Sequence, residues 1–160
     1  MSRLKAIIPC LILYLLLSGF CYEDAGSYYG ISPVLLKAIA RAESQEKPNA
    51  IGINRAPDGT VKSYDIGICQ INTVWRKALG PQRWAMTVQS PCYNAYIGAW
   101  ILAQCRMDHG DNLSEVLSCY NTGRSYSQLM KKRNYRTAWK AYRYIARVRN
   151  ELQNIQRSGY

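Results

Sequence analysis

Residues 6–20 are apolar apart from Ser18 and follow a short basic stretch, Met1-Ser2-Arg3-Leu4-Lys5. Fifteen residues fall short of the roughly 20 that a bilayer-spanning helix needs. Pro9 and Gly19 weaken a helix there further. The pattern fits the apolar core of a secretory signal better than an anchor. Residues 1–20 are therefore expected to be a signal peptide, and the rest of the chain to work in the periplasm. This constrains the fold strongly, because an oxidising compartment makes cysteine pairing part of the structure.

Six cysteines are present, and Cys10 would leave with the signal. Cys21, Cys69, Cys92, Cys105 and Cys119 remain, so pairing leaves one over. Ser18-Gly19-Phe20-Cys21 is a poor lipoprotein box, because Phe20 stands where a small residue is needed. There is no CxxC pair, and His109 is the only histidine. No metal site and no cofactor are expected from such a set.

The 160-residue chain carries a net charge of +11. Between Cys21 and Gly123 there are 9 basic and 9 acidic residues, whereas Arg124–Tyr160 holds 10 basic residues and only Glu151 as an acid. The excess is confined to the C-terminal stretch. It suits an anionic partner; in an exported protein that means the cell wall or a membrane surface rather than nucleic acid. A solvated helix face explains it equally well. One domain over residues 21–150 with a basic tail over 151–160 is expected, as a monomer that meets the membrane only through its signal.

Ser32-Pro33 starts the first clear helix, with serine as cap and proline in the first turn. The run to Glu43 has high helix propensity, and Pro48 marks a stop. Residues 51–66 alternate, with Asp58-Gly59 as a hairpin signal, which predicts a small β-wing. Tyr93–Met107, Ser114–Tyr120 and Arg136–Gln156 read as helices. On the last, Trp139, Tyr142, Ile145, Ala146 and Leu152 are expected to face inward. The fold class is mostly α, with a minor β element.

Glu43 follows Leu36, Ile39 and Ala40 at the spacing of one helix face. It lies at the carboxyl end of its helix, where burial and the helix dipole both disfavour the charged form. Both raise the pKa, as a general acid at neutral pH requires. A helix-end salt bridge to Arg41 or Lys47 is the competing reading, and the helix alone does not decide between them. Glu46 is expected to be solvated. Glycosidic cleavage usually employs two carboxyl groups, and Asp65 is the second candidate, though it also fits a turn before Ile66-Gly67. Asp58, Asp108 and Asp111 look structural.

Four segments in order resemble one family. Glu43-Ser44 resembles the Glu-Ser signature of lytic transglycosylases with a lysozyme-like fold. Gly67-Ile68-Cys69-Gln70-Ile71-Asn72 resembles their Gly-Leu-Met-Gln-Ile-Asn segment, and Cys119-Tyr120-Asn121-Thr122-Gly123 their Ala-Tyr-Asn-x-Gly segment. Tyr144-Ile145-x-x-Val148 resembles the closing tyrosine motif. Cys69 and Cys119 depart from the family's methionine and alanine. Cys21, Ser90-Pro91-Cys92 and Gly98–Cys105 resemble the small transglycosylases of type III and type IV secretion, conjugation and pilus systems.

The resemblance implies disulfides Cys21–Cys92 and Cys105–Cys119, each contributing about 2–4 kcal/mol. It implies cleavage of the β-1,4 bond between N-acetylmuramic acid and N-acetylglucosamine in peptidoglycan, with formation of a 1,6-anhydro product. Glu43 would act as acid and then base, with Asp65 stabilising the transition state. Ser44, Gln70, Asn72, Tyr120, Asn121 and Tyr144 would hold the substrate and Glu43. A secretion or pilus channel component is the implied protein partner. Three alternatives stay open: a hydrolytic lysozyme, a non-catalytic peptidoglycan-binding assembly module, and a membrane-active basic segment.

Overall fold

The computed structural model describes residues 21–159; the expected signal peptide lies outside the described residues. Helix α1 covers residues 21–29. Helix α2 (Pro33–Ser44) begins as its sequence dictates, with the Ser32 side chain accepting from the Leu35 N–H and Pro33 in the first turn. It ends before Pro48 has any say. Gln45 and Glu46 both take positive φ, at 57° and 58°, and the Glu46 N–H returns to the Ala40 carbonyl at 3.2 Å. Two left-handed residues turn the chain away sharply, so Glu43 stays in the last helical turn.

The expected wing is a three-stranded antiparallel sheet in the order β1-β2-β3. Strands β1 (Ile51–Arg55) and β2 (Val61–Ile66) form the hairpin, and the Asp58 side chain accepts from Thr60 at its turn. The short β3 (Ile71–Asn72) pairs Asn72 with Asp65. Asp65 thus lies within a paired strand, opposite Gly52 on its other side, and is no turn residue.

Helices α3 (Arg76–Gln89), α4 (Pro91–His109), α5 (Leu113–Thr122), α6 (Tyr126–Lys131) and α7 (Tyr135–Arg157) follow. Helix α4, expected over Tyr93–Met107, is buried on more than one side. Ala95, Ile97, Gly98, Ala99, Ile101, Leu102 and Cys105 are buried on several sides of it, because α2, α3 and α5 all pack against it. Asn121 and Thr122 extend α5 two residues beyond the expected end at Tyr120, up to a left-handed Gly123 cap.

The inward face of α7 differs from the expected one. Ala138, Ala141, Tyr144, Ile145, Val148 and Ile155 are buried, while Trp139 and Tyr142 are 61 % and 53 % exposed and Ala146 is exposed too. Ile145 and Leu152 pack inward as expected, but toward the start of the helix the inward positions are Ala138 and Ala141, one residue and about 100° of helix rotation before Trp139 and Tyr142. Small Ala138 and Ala141 face Leu129 of α6, a contact that a tryptophan would hold apart. Helix α7 also runs on through residue 150 to Arg157, with Ile155 in the main core. The expected helix through Gln156 thus holds, and residues 151–157 are packed helix of the same unit rather than a separate tail, because Val148, Leu152 and Ile155 continue the apolar spacing.

Two disulfides tie the layers together. Cys21–Cys92 joins the start of α1 to α4, and Cys105–Cys119 joins α4 to α5. Cys69 is free and buried. No described helix is long and apolar enough to cross a membrane.

Candidate active site

Glu43 lies where α2, the 67–70 segment and α7 meet. Ser44 anchors this corner: its hydroxyl lies 2.9 Å from the Ile68 carbonyl and 3.2 Å from the Ala40 carbonyl. Ser44 is itself buried, so it fixes the end of α2 rather than facing outward. Arg41 pairs with Glu46 at 3.1 Å, and Glu46 also accepts from the Tyr22 hydroxyl at 3.1 Å. That corrects two expectations together. Glu46 is held in an ion pair rather than freely solvated, and Arg41 is engaged with it instead of with Glu43.

Burial is the main influence on Glu43 and pushes its carboxyl up from 4.5 to about 7. The Tyr144 hydroxyl and the Arg147 charge oppose the rise, and Asp65 adds to it. Glu43 remains partly accessible to solvent. A carboxyl that keeps its proton near neutrality and can still be reached from outside is able to donate that proton.

Asp65 is fixed on both oxygens. The Asn54 amide donates to Oδ2 at 2.7 Å and the Asn72 amide to Oδ1 at 2.6 Å. Asn72 also donates to Ser63 at 3.0 Å and accepts from the Val74 N–H, starting the 3-10 turn Thr73–Trp75. Asn72 is thus a support for Asp65, and Asn54, which the sequence did not single out, is the other.

The 67–70 segment forms the floor. Gln70 takes a left-handed φ of 49° and its side-chain amide donates to Gly67 O at 2.8 Å and Ala50 O at 3.3 Å. Tyr120 donates its hydroxyl to Cys69 O at 2.9 Å and lies parallel to Tyr144 with ring centroids 6.5 Å apart. Arg147 sits 5.7 Å above the Tyr144 ring. The Tyr144 hydroxyl is buried and makes no hydrogen bond of good geometry. Asn121 is exposed on α5, away from this floor's hydrogen bonds.

Asn94 on α4 escaped the sequence reading altogether. It is 1 % exposed, accepts from the Cys69 N–H at 2.9 Å, and donates to Ile66 O at 2.9 Å and Thr87 O at 3.1 Å. Gly67 makes room for it: at φ 76°, an added Cβ would lie 2.5 Å from the Asn94 amide nitrogen. An asparagine within an otherwise apolar helix run was the available signal, since a buried amide demands partners.

A hollow of about 440 Å³ along Thr73–Pro81 contains Arg76 and Lys77 but no acid. The transglycosylase SLT domain family matches residues 20–143. The chain belongs to this family. Similar chains include "Peptidoglycan-binding-like protein" of Escherichia coli O157:H7, 34 % identical over 86 % of this chain and 82 % of that one. "Invasion protein IagB" of Salmonella typhi is 34 % identical over 84 % of this chain and 82 % of its own. "Protein IpgF" of Shigella sonnei is 33 % identical over 98 % of this chain and 99 % of its own. The mostly helical architecture with one small sheet is that of a lysozyme-like SLT domain.

Proposed function

We propose that this SLT-family protein is an exported peptidoglycan lytic transglycosylase with Glu43 as its acid/base catalyst. The observation that carries the reading is the Glu43 carboxyl, raised to about 7 and still partly accessible. Protonated Glu43 donates to the glycosidic oxygen as the bond to the muramoyl C1 breaks. The resulting carboxylate takes the proton of the muramoyl C6 hydroxyl as that oxygen closes on C1. Glu43 ends with its proton restored, and no water is consumed.

Asp65, held by Asn54 and Asn72, stabilises the positive charge that builds on the sugar ring. Tyr144 has a buried hydroxyl beside Glu43 that is engaged with no other group among the described residues, which leaves it available to orient the carboxyl. Ser44, Gln70, Asn72 and Tyr120 act as positioning residues, since their polar groups are committed to the fold. Asn121, exposed on α5, is left free for a sugar contact.

The test is mass spectrometry of the soluble muropeptides released from purified sacculi by wild type and Glu43→Gln. Anhydro ends from wild type and none from the variant are expected. Hydrated reducing ends would assign the protein to the hydrolytic lysozymes, and equal release by both proteins would remove Glu43 from the chemistry. No release by either would favour a binding module.

A relative named an invasion protein supports the further reading that the cleavage opens the wall locally for a secretion, conjugation or pilus apparatus. Deleting the gene should then block assembly of that apparatus without slowing growth. Unchanged assembly would refute it.

A further inference from the structure

Helix α7 carries Tyr144, which faces Glu43, and continues away from the site as a line of cations. Arg136, Lys140, Arg143 and Arg147 are spaced by four, three and four residues, which puts them on one helix face. All four are exposed, and none belongs to an ion pair among the described residues. The line spans about 16 Å at the rise of an α-helix. It has a definite end: Arg147 stacks over the Tyr144 ring at 5.7 Å and its charge acts on Glu43. A chain of like charges kept unpaired costs self-repulsion, and an anionic ligand lying along it relieves that cost.

On the proposed reading of the site, the substrate is a glycan strand bearing peptide stems whose carboxylates are anionic at neutral pH. We propose that the Arg136–Lys140–Arg143–Arg147 line binds the carboxylates of the stem peptide carried by the strand seated at Glu43, making the enzyme selective for peptide-bearing over peptide-free glycan. The inference rests on the proposed cleavage activity but is separable from it. Arg147 belongs to both site and line, which gives the line its register with the scissile bond.

The test compares initial rates on two substrates: intact sacculi, and the same glycan stripped of its stems by an amidase. Wild type should cleave the peptide-bearing form about tenfold faster at low salt, as three or four exposed charge contacts would give, and the preference should shrink at 0.5 M salt. In Arg136→Gln/Lys140→Gln/Arg143→Gln, whose three sites are exposed, the ratio should fall toward one. The same ratio in variant and wild type overturns the inference while leaving cleavage intact. Cleavage of neither substrate by wild type overturns the activity itself. If the variant slows both substrates equally and loses binding to phosphatidylglycerol vesicles, the line is a membrane contact and the stem assignment fails.

Discussion

Glu43 is asked to keep a proton at a pH where a solvated glutamate has lost it, and this has two measurable consequences. If Glu43 is the acid proposed above, cleavage should fall as pH rises through about 7, because its protonated form would supply the first proton. Stability should fall over a related window. The unfolded chain sheds this proton near 4.5 and the folded one near 7, so rising pH between these values favours unfolding, by roughly 3 kcal/mol at most. Glu43→Gln has no proton to lose. Urea midpoints of the two proteins should therefore separate between pH 4.5 and 8, with the variant the more stable above pH 7. Asp65→Asn replaces an acceptor by a donor facing two amides, and its cleavage rate on sacculi should drop at least tenfold, in line with losing transition-state electrostatics. The amphipathic spacing of α2 made the placing of Glu43 legible in the sequence. Its solitude was not, because that depends on the Gln45–Glu46 turn swinging Glu46 back onto Arg41.

At the scale of elements, the floor segment depends on a side chain from another helix. Asn94→Ala removes the partners of the Cys69 N–H and of the Ile66 and Thr87 carbonyls. Orphaned buried groups cost about 1–3 kcal/mol each, so thermal unfolding should shift down by several degrees. Cleavage should weaken as well, although Asn94 lies in the buried interior. Helix α7 supplies a contrasting pair. Trp139→Ser, at an exposed position, should change stability by no more than about 0.5 kcal/mol. Ala138→Leu, against Leu129, should cost about 1–3 kcal/mol by overpacking; chemical denaturation distinguishes them. The same pair explains a misreading. Hydrophobic size draws the eye to Trp139 and Tyr142, but close helix contact selects small residues, and only the neighbouring α6 reveals that. The hairpin, by contrast, was legible because Asp58-Gly59 and the alternating strands are local signals. Strand β3 was hidden, because two residues have no periodicity to read.

For the whole molecule, the cysteines link its parts. Cys21–Cys92 spans 71 residues of sequence, and within that span lie Glu43, Asp65 and the entire wing. The Glu43 corner therefore sits inside a covalent ring. Trypsin has accessible targets on the wing, since Arg55 and Lys62 are both exposed. A cut there opens a strand but releases nothing: the nicked protein should run as one band without reductant and as two with it. Survival of the Cys21–Cys92 bond keeps the two halves at high effective concentration, so the nicked form should retain its helical circular dichroism until the disulfides are reduced. For a protein working outside the shelter of the cytoplasm, one broken peptide bond in the wing would then leave α2, carrying Glu43, still tethered to α4.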